Sequence, residues 1–322
     1  MPSRARLAAW FAGLPPPLRT AVLMLGANLA FAAMAGLIRL ATDYMHPFEV
    51  AFFRNLFGLV FMLPWLARVG FGALRTQKLP LHFLRGAVAL SAMLTFFYGI
   101  SKLPLSDVTA INYTTPLFAT LLAPFFLGEQ IGWHRRIALA VGFAGALIVI
   151  RPGLSAFDPV ALIVLGSAFL IGVATIIIKT LSRTEAPDAI VIYLVLIVTP
   201  AALVPAAFVW TWPGPLAWLI VIAIGGFGTL AQKLMARGFA SADASYVVLF
   251  DFTRLPFAAA IGWFAFSQTT DIWTWVGAGV IAAAGFYVVR RENLRSGLRP
   301  AAAAMVPPEP AAPLRARSRA GR

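Results

Sequence analysis

Long apolar segments separated by short polar connections run through most of this chain of 322 residues. Ten of them can be delimited, at residues 20–41, 47–67, 81–101, 105–127, 136–150, 159–181, 188–210, 216–238, 245–266 and 272–290. Most reach the ~20 residues that a helix needs to cross a hydrocarbon core of ~30 Å. They are apolar on every side, whereas a helix of a soluble protein carries one apolar stripe. The pattern predicts an all-α integral membrane protein with ten transmembrane helices.

Polar residues interrupt the fourth segment near its middle, where Asn112, Tyr113, Thr114 and Thr115 precede Pro116. A proline has no N–H, so Pro116 leaves the carbonyl of Asn112 without its helical partner and bends the helix. A bilayer tolerates a freed carbonyl only where protein or a wet cavity satisfies it. We therefore expect Asn112, Tyr113, Thr115 and Pro116 to line a substrate cavity.

The chain repeats itself at an offset of 140 residues. Nine pairs match at this spacing: Gly26 and Gly166, Arg39 and Lys179, Pro47 and Pro187, Pro116 and Pro256, Ala119 and Ala259, Phe126 and Phe266, Trp133 and Trp273, Gly145 and Gly285, and Arg151 and Arg291. Each half holds five segments, and because five is odd the second half must enter the membrane inverted. Two inverted five-helix repeats around a midplane site are typical of secondary transporters and make alternating access natural.

The repeat divides the chain into four parts. They are a cytosolic leader at 1–19, a first repeat at 20–153, a second repeat at 154–291 and a basic tail at 292–322, which we expect to be disordered because it is rich in Pro, Ala and Arg.

Composition supports a membrane protein and excludes a nucleic-acid-binding one, although the net charge is +14. The chain is 60% hydrophobic and 12% charged. If the N-terminus is cytosolic, 20 of the 26 Lys and Arg residues fall on cytosolic segments. This bias places both termini in the cytosol, in a multi-pass protein of the cell inner membrane. With no cysteine and three scattered histidines, we expect no metal site, no cofactor and no catalytic residue.

Charged residues within the spans are candidates for function, because charge is costly in a membrane and usually lines a pathway. Asp251 and Arg254 are three residues apart, which lets them pair on a helix. Pro256 also frees the carbonyl of Phe252 on the same turn. The pair is either a structural lock between helices or a substrate-facing, proton-coupling pair.

Arg54 lies about 10 Å inside the second segment and has Asn55 beside it. Glu49 is too far round the helix to pair with it, so its partner is a ligand carboxylate or phosphate, or a carboxylate on another helix. Arg85 is about one turn from the cytosolic side, where snorkelling explains it, and Arg39 is explained in the same way at the outer interface. Asn28 and Gln232 are uncharged polar residues within spans, and both are candidate substrate ligands.

Residues 98–153 resemble the EamA-type module of the drug/metabolite transporter superfamily. The matching features are the small and polar run before Pro116, the closure at Leu127-Gly128-Glu129, and a Gly-rich fifth segment that ends in Arg151-Pro152-Gly153. Residues 240–291 resemble a second copy in which Ser267-Gln268 replaces the Gly-Glu pair. The resemblance implies a cavity between the halves and a substrate such as riboflavin, S-adenosylmethionine or an amino acid.

Together these features predict a secondary transporter, without ATP hydrolysis, of a small organic metabolite such as a vitamin or nucleoside-like compound. The alternatives are an exporter of amino acids or related metabolites and, in other classes, a membrane-embedded enzyme or a passive scaffold. No phosphate loop, nucleophile elbow or zinc-protease motif occurs, so we expect no enzymatic activity. The expected partners are the substrate and the lipid bilayer, with no nucleic acid, and a homodimer is left open.

The charge count makes the topology testable with reporter fusions. Fusions after Arg75 and at the C-terminus should report the cytosol, and a fusion within residues 211–215 should report the outside. Alkaline phosphatase and green fluorescent protein activities, read in parallel, measure each position. A C-terminus found outside would contradict the even number of spans and, with it, the two odd repeats.

Overall fold

The computed structural model describes residues 15–69, 76–127, 132–153, 157–181, 184–185, 187–241, 250 and 252–287, and these residues contain helices and no strand. The helices are α1 (Pro16–Ala41), α2 (Pro47–Val69), α3 (Leu79–Lys102), α4 (Leu105–Asn112), α5 (Thr115–Leu127), α6 (Trp133–Ile150), α7 (Val160–Leu181), α8 (Pro187–Ala207), α9 (Pro215–Ser241), α10 (Arg254–Phe266) and α11 (Ile272–Tyr287). Several helices begin at or beside a proline. A proline costs little at this position, because the N–H that it lacks would have no partner within the helix.

Within the described residues, six helical stretches are long and apolar enough to cross a membrane, with mean hydropathies between 1.3 and 2.7. Three more, at Arg136–Ile150, Arg254–Phe266 and Ile272–Tyr287, are apolar but shorter. The chain is therefore a multi-pass membrane protein. The first helix begins at Pro16, inside the segment expected to be a leader, because consecutive prolines are compatible with a first helical turn.

The fourth segment, expected as one bent helix, is two helices separated by a turn at Tyr113 and Thr114. Of the ninth segment, the structure describes Phe250 and residues 252–266, and it shows a matching turn at Phe252 and Thr253. Asp251, most of the leader and the whole basic tail lie outside the described residues.

The contacts that helices of one half make with the other half are repeated by the equivalent helices of that other half. Helix α1 packs along α9, and its counterpart α7 packs along α3. In the same way α1 contacts α10 while α7 contacts α5, and α2 contacts α9 while α8 contacts α3. Helices α2 and α8, which occupy equivalent positions in the two halves, pack against each other. This is the packing expected of two related halves about a pseudo-two-fold axis.

Polar contacts between the halves gather at the two ends of the bundle. One end, here called the Glu49 end, has four such contacts. Glu49 accepts from the Thr211 N–H (2.7 Å), and Gln268 accepts from the Leu105 N–H (3.1 Å). Thr274 donates to Asp107 (2.7 Å), and Arg151 forms an ion pair with Asp271 (2.7 Å). The Trp273 N–H and the Arg151 guanidinium hold the pKa of Asp271 below its usual value, so this link persists into acidic conditions. At the other end, the His82 end, Thr76 donates to Glu185 at 2.8 Å and His82 lies 4.0 Å from the same carboxylate.

Small residues let the helices approach closely. Ala138, Gly142 and Ala146 form a stripe of small residues on α6: both alanines are buried, and a Cβ at Gly142 would lie 2.5 Å from Leu117. On α11, a Cβ at Gly277 would lie 2.6 Å from the backbone oxygen of Gly145, so the two backbones touch where α6 and α11 cross.

This crossing gives a matched test on one helix. Gly277→Ala must push two backbones apart and should lower stability by ~1–3 kcal/mol. Gly279, two residues further on and exposed, has nothing within 4 Å of a built Cβ, so Gly279→Ala should leave stability unchanged or raise it. Thermal unfolding in detergent, followed by tryptophan fluorescence, measures both variants. Equal melting temperatures would show that the crossing is looser than the structure has it.

Candidate functional site

The break between α4 and α5 is made by local hydrogen bonds. The Tyr113 and Thr114 N–H groups donate to the carbonyls of Ala110 and Ile111, three residues back, which tightens the end of α4. The Thr114 hydroxyl also donates to the Ile111 carbonyl at 2.7 Å. Pro116 cannot continue the α4 hydrogen-bonding pattern, so the helix restarts at Thr115.

The turn before α10 is held from the other half of the chain by Tyr113. As expected, Pro256 cannot bond the carbonyl of Phe252, and the Tyr113 hydroxyl donates to that carbonyl at 3.1 Å. The same hydroxyl oxygen accepts from the Leu255 N–H at 2.8 Å. The Tyr113 and Phe252 rings pack edge to face with centroids 5.0 Å apart. One phenol therefore satisfies two backbone groups that the break exposes.

Asn28 holds the other side of this turn. It lies near the middle of α1, has 0% exposure, and its amide donates to the Phe250 carbonyl (2.5 Å) and to the Thr253 hydroxyl oxygen (3.1 Å). Thr253 in turn donates to the Phe250 carbonyl at 2.6 Å. The turn is thus fixed by α1 on one side and by Tyr113 on the other.

Arg254 begins α10 at this point and is poorly partnered. Its guanidinium carbon lies 4.5 Å from the centroid of the Phe31 ring, a cation–π distance, and its Nη2 is 3.4 Å from Asn28 Oδ1. Its Nε is buried and has no hydrogen-bond partner among the residues that the structure describes. Asp251 lies outside the described residues, so the expected pairing of Asp251 with Arg254 stays a prediction.

Arg54 lies beside Met34, three residues after Phe31 on α1. A Cβ at Gly228 of α9 would lie 3.1 Å from Met34 Sδ and 3.8 Å from Arg54 Nε, so these three residues are neighbours. Arg54 donates to Asn55 Oδ1 at 3.1 Å, and it forms no ion pair with any described residue. The Asn55 amide itself donates to the Ala51 carbonyl at 2.8 Å and contacts Met93 Sδ at 3.2 Å.

The exclusion of Glu49 as a partner of Arg54 is confirmed. Both Glu49 carboxylate oxygens are engaged at the end of the bundle, one with the backbone N–H of His46 at 2.9 Å and the other with Thr211. Glu49 is completely buried there.

Two other arginines have structural partners where snorkelling was expected. Arg85 is buried and donates to the Ile190 carbonyl of α8, so its charge does not extend to the surface. Arg39 donates to the carbonyls of Ile100 (2.8 Å) and Leu103 (3.1 Å) at the end of α3, where unpaired carbonyls favour a cation. Depth in the sequence separated these two arginines from Arg54 and Arg254, but it did not predict that backbone carbonyls of other helices would bind them.

The remaining candidates are spread around this centre. The Thr115 hydroxyl donates to Asn112 Oδ1 at 3.2 Å, and both side chains are half-buried. Pro116, Pro256 and Gln232 are exposed on the surface of the bundle. Sequence reasoning missed Phe31 and Thr253, which contact Arg254 and Asn28 directly. The position of Phe31, three residues after Asn28 on one helix face, was the available signal.

No group of three potential metal ligands occurs among the residues that the structure describes. The site is a set of amide, phenol and guanidinium groups at two helix breaks in the middle of an apolar bundle. Discontinuous helices that meet inside a membrane bundle are typical of transporters, where irregular backbone lines a substrate pathway.

The protein is accordingly a membrane transporter by architecture. The model of the EamA-like transporter family matches it twice, at residues 18–151 and 159–290. The chain belongs to this family.

Curated relatives carry substrate names. A riboflavin transporter of Vibrio cholerae is 32% identical over 285 residues, which cover 87% of this chain and 96% of that protein. An S-adenosylmethionine uptake transporter of Rickettsia bellii is 30% identical over 249 residues, 77% of this chain and 86% of that protein. A pseudopaline exporter of Pseudomonas aeruginosa is 29% identical over 263 residues, 80% of this chain and 91% of that protein. This chain is therefore a transporter of a small metabolite.

The double role of the Tyr113 hydroxyl can be tested by removing it. Tyr113→Phe removes the hydroxyl that bonds both the Phe252 carbonyl and the Leu255 N–H, and leaves these two groups only the long 3.4 Å bond between them, which should cost ~1–3 kcal/mol of stability and lower transport. Tyr98→Phe is the matched control, because the Tyr98 hydroxyl has no hydrogen bond to the described part of the chain. Melting temperature and substrate uptake measure both variants. If Tyr113→Phe behaves as Tyr98→Phe does, the turn before α10 does not depend on this hydroxyl.

Proposed function

We propose that the protein is a secondary transporter of the cell inner membrane that carries a vitamin or nucleoside-like metabolite, such as riboflavin or S-adenosylmethionine, by alternating access. It has ten spans in two inverted five-helix repeats, at 20–153 and 154–291, with both termini in the cytosol. The names of the Vibrio and Rickettsia relatives support this substrate class.

One observation carries the proposal. The broken segment at α10 is held by Asn28 and Tyr113, and beside it Arg254 and Arg54 carry charges that no described carboxylate neutralises. Charge within an apolar bundle is costly and is retained where it serves a ligand. The substrate therefore binds at the breaks, between the two halves, in contact with Arg54, Asn55 and Arg254.

The other predicted site residues have different roles in this proposal, some in shaping the site and some in lining it. Asn28 and Tyr113 shape the turn that presents Arg254, while Asn112 and Thr115 line the matching break in the first half. Pro116 and Pro256 set the two breaks, and Gln232 lies along the path on the side of the cytosol. Arg85 anchors α3 to α8. Asp251 is the carboxylate that couples transport to protons or locks Arg254.

Alternating access is supported by the exchange symmetry of the packing. A pseudo-two-fold axis lets the bundle open at either end by the same rocking motion. The contacts at the Glu49 end and at the His82 end each join the two halves, so each set must break when its own end opens. The charge count assigns the Glu49 end to the outside. No phosphate-binding motif is present, so a gradient drives any uphill transport, and no chemical reaction is catalysed.

Export is the second candidate, and the pseudopaline exporter favours it. The same central site serves both directions, because the gradient and not the pocket sets the direction of a reversible carrier.

Purified protein in proteoliposomes tests the proposal directly. Uptake of radiolabelled riboflavin or S-adenosylmethionine should be saturable, and an unlabelled excess of the same compound should abolish it. Arg254→Gln should lower uptake about tenfold or more, since it removes a charged donor, whereas Arg136→Gln, at an exposed helix end, should not. Preloaded vesicles report efflux and so measure the reverse direction. If neither compound crosses saturably, and an amino-acid panel does, the substrate class proposed here is wrong.

A further inference from the structure

The structure divides four arginines, Arg39, Arg54, Arg85 and Arg254, into two pairs. Arg39 and Arg85 donate to backbone carbonyls of other helices. Arg54 and Arg254 are each half-buried, and each donates one hydrogen bond to a described residue, to Asn55 and Asn28 respectively. A guanidinium has five N–H donors, so most donors of this second pair have no acceptor among the described residues.

The field at this site is positive within the described part of the chain. The acidic residues whose side chains are described there, Asp43, Glu49, Asp107, Asp158, Glu185 and Asp271, all lie in the loops or within the first turn of a helix. Two guanidinium charges in a medium of low dielectric repel a cation over many ångströms.

The groups beside the arginines are aromatic or soft. Phe31 lies under Arg254, the Tyr113 and Phe252 rings pack against each other at the turn, and Met34 and Met93 lie near Arg54 and Asn55. Such surfaces suit a flat ring, and arginine donors suit carbonyl or carboxylate oxygens on its edge.

We propose that Arg54 and Arg254 act together as a charge filter, so that the site takes a flat, oxygen-bearing substrate without net positive charge and rejects a cationic one. This rests on the proposed function and narrows it. Riboflavin has an uncharged ring with carbonyl oxygens at its edge and passes the filter. S-adenosylmethionine carries a sulfonium as well as an ammonium group, and the two arginines disfavour it.

Asp251, three residues before Arg254 in the sequence, is an alternative source of local charge that the proposal must exclude. A carboxylate that neutralised Arg254 would restore tolerance of a cation. The experiment therefore includes this residue.

A pair of ligands isolates charge from shape. S-adenosylmethionine and S-adenosylhomocysteine differ by one methyl group and one positive charge. Competition of each against labelled riboflavin on the purified full-length protein gives two inhibition constants. In the wild type, S-adenosylhomocysteine should bind at least about tenfold more tightly than S-adenosylmethionine. Arg54→Gln and Arg254→Gln should each reduce this ratio, and the double variant should bring it close to one.

Conservative and remote variants keep the test interpretable. Arg54→Lys and Arg254→Lys retain the charge and should retain the ratio, and Arg136→Gln should not change it. Size-exclusion profiles identify variants that have failed to fold, and the ratio is compared among the variants that fold.

Three results would overturn the filter. They are equal or tighter binding of S-adenosylmethionine by the wild type, a ratio that survives in the double variant, and discrimination that appears only in Asp251→Asn. Failure of riboflavin itself to bind would contradict the proposed function, which is a different outcome from binding without discrimination.

Discussion

A hydrocarbon environment offers no hydrogen-bond partner to a broken helix, and this constraint governs the centre of the molecule. The turn before α10 persists because the Tyr113 hydroxyl serves both the Phe252 carbonyl and the Leu255 N–H, while Asn28 serves the Phe250 carbonyl. These partners come from α1 and from the equivalent break in the first half. The break in the second half therefore depends on the docking of the first, and a relative movement of the halves must change the hydrogen bonds at the site.

The arginines show how position within a bundle determines the role of a residue. A guanidinium near the C-terminal end of a helix finds free carbonyls, as Arg39 does at the end of α3, whereas Arg85 donates to the Ile190 carbonyl in the first turn of α8; both arginines tie helices together. A guanidinium at mid-depth meets helices whose carbonyls are already bonded, and only a break, a side-chain amide or a ligand can accept from it. Arg54 and Arg254 are in this second situation. Substrate recognition and the cost of burying charge are thus linked, because a bound ligand supplies the acceptors that the protein withholds.

Two groups of polar contacts between the halves lie at opposite ends of the bundle, and a third lies at the helix breaks. The Glu49 end carries a buried carboxylate, an ion pair and two further hydrogen bonds, whereas the His82 end joins through Glu185. Contacts of this kind have two discrete arrangements, made or broken, which suits a carrier that exposes one site to two sides. The close backbone contact of Gly145 and Gly277 joins the two halves where α6 and α11 cross.

Much of this architecture can be predicted from the sequence. Apolar run lengths indicate the helices and Pro256 predicts the freed carbonyl of Phe252, because each depends on residues close together in the chain. The matches at a constant offset of 140 residues indicate the repeat. The break at Tyr113 and Thr114 went further than the expected bend, since several local hydrogen bonds reinforce one proline. The group that bonds the Phe252 carbonyl lies 139 positions away in the chain. Whether an arginine ties two helices together depends on its depth within the bundle and on the carbonyls of the neighbouring helices. Only the tertiary structure decides these points, because a hydrogen bond between two helices depends on how the helices pack and produces no periodic pattern in the sequence of either helix.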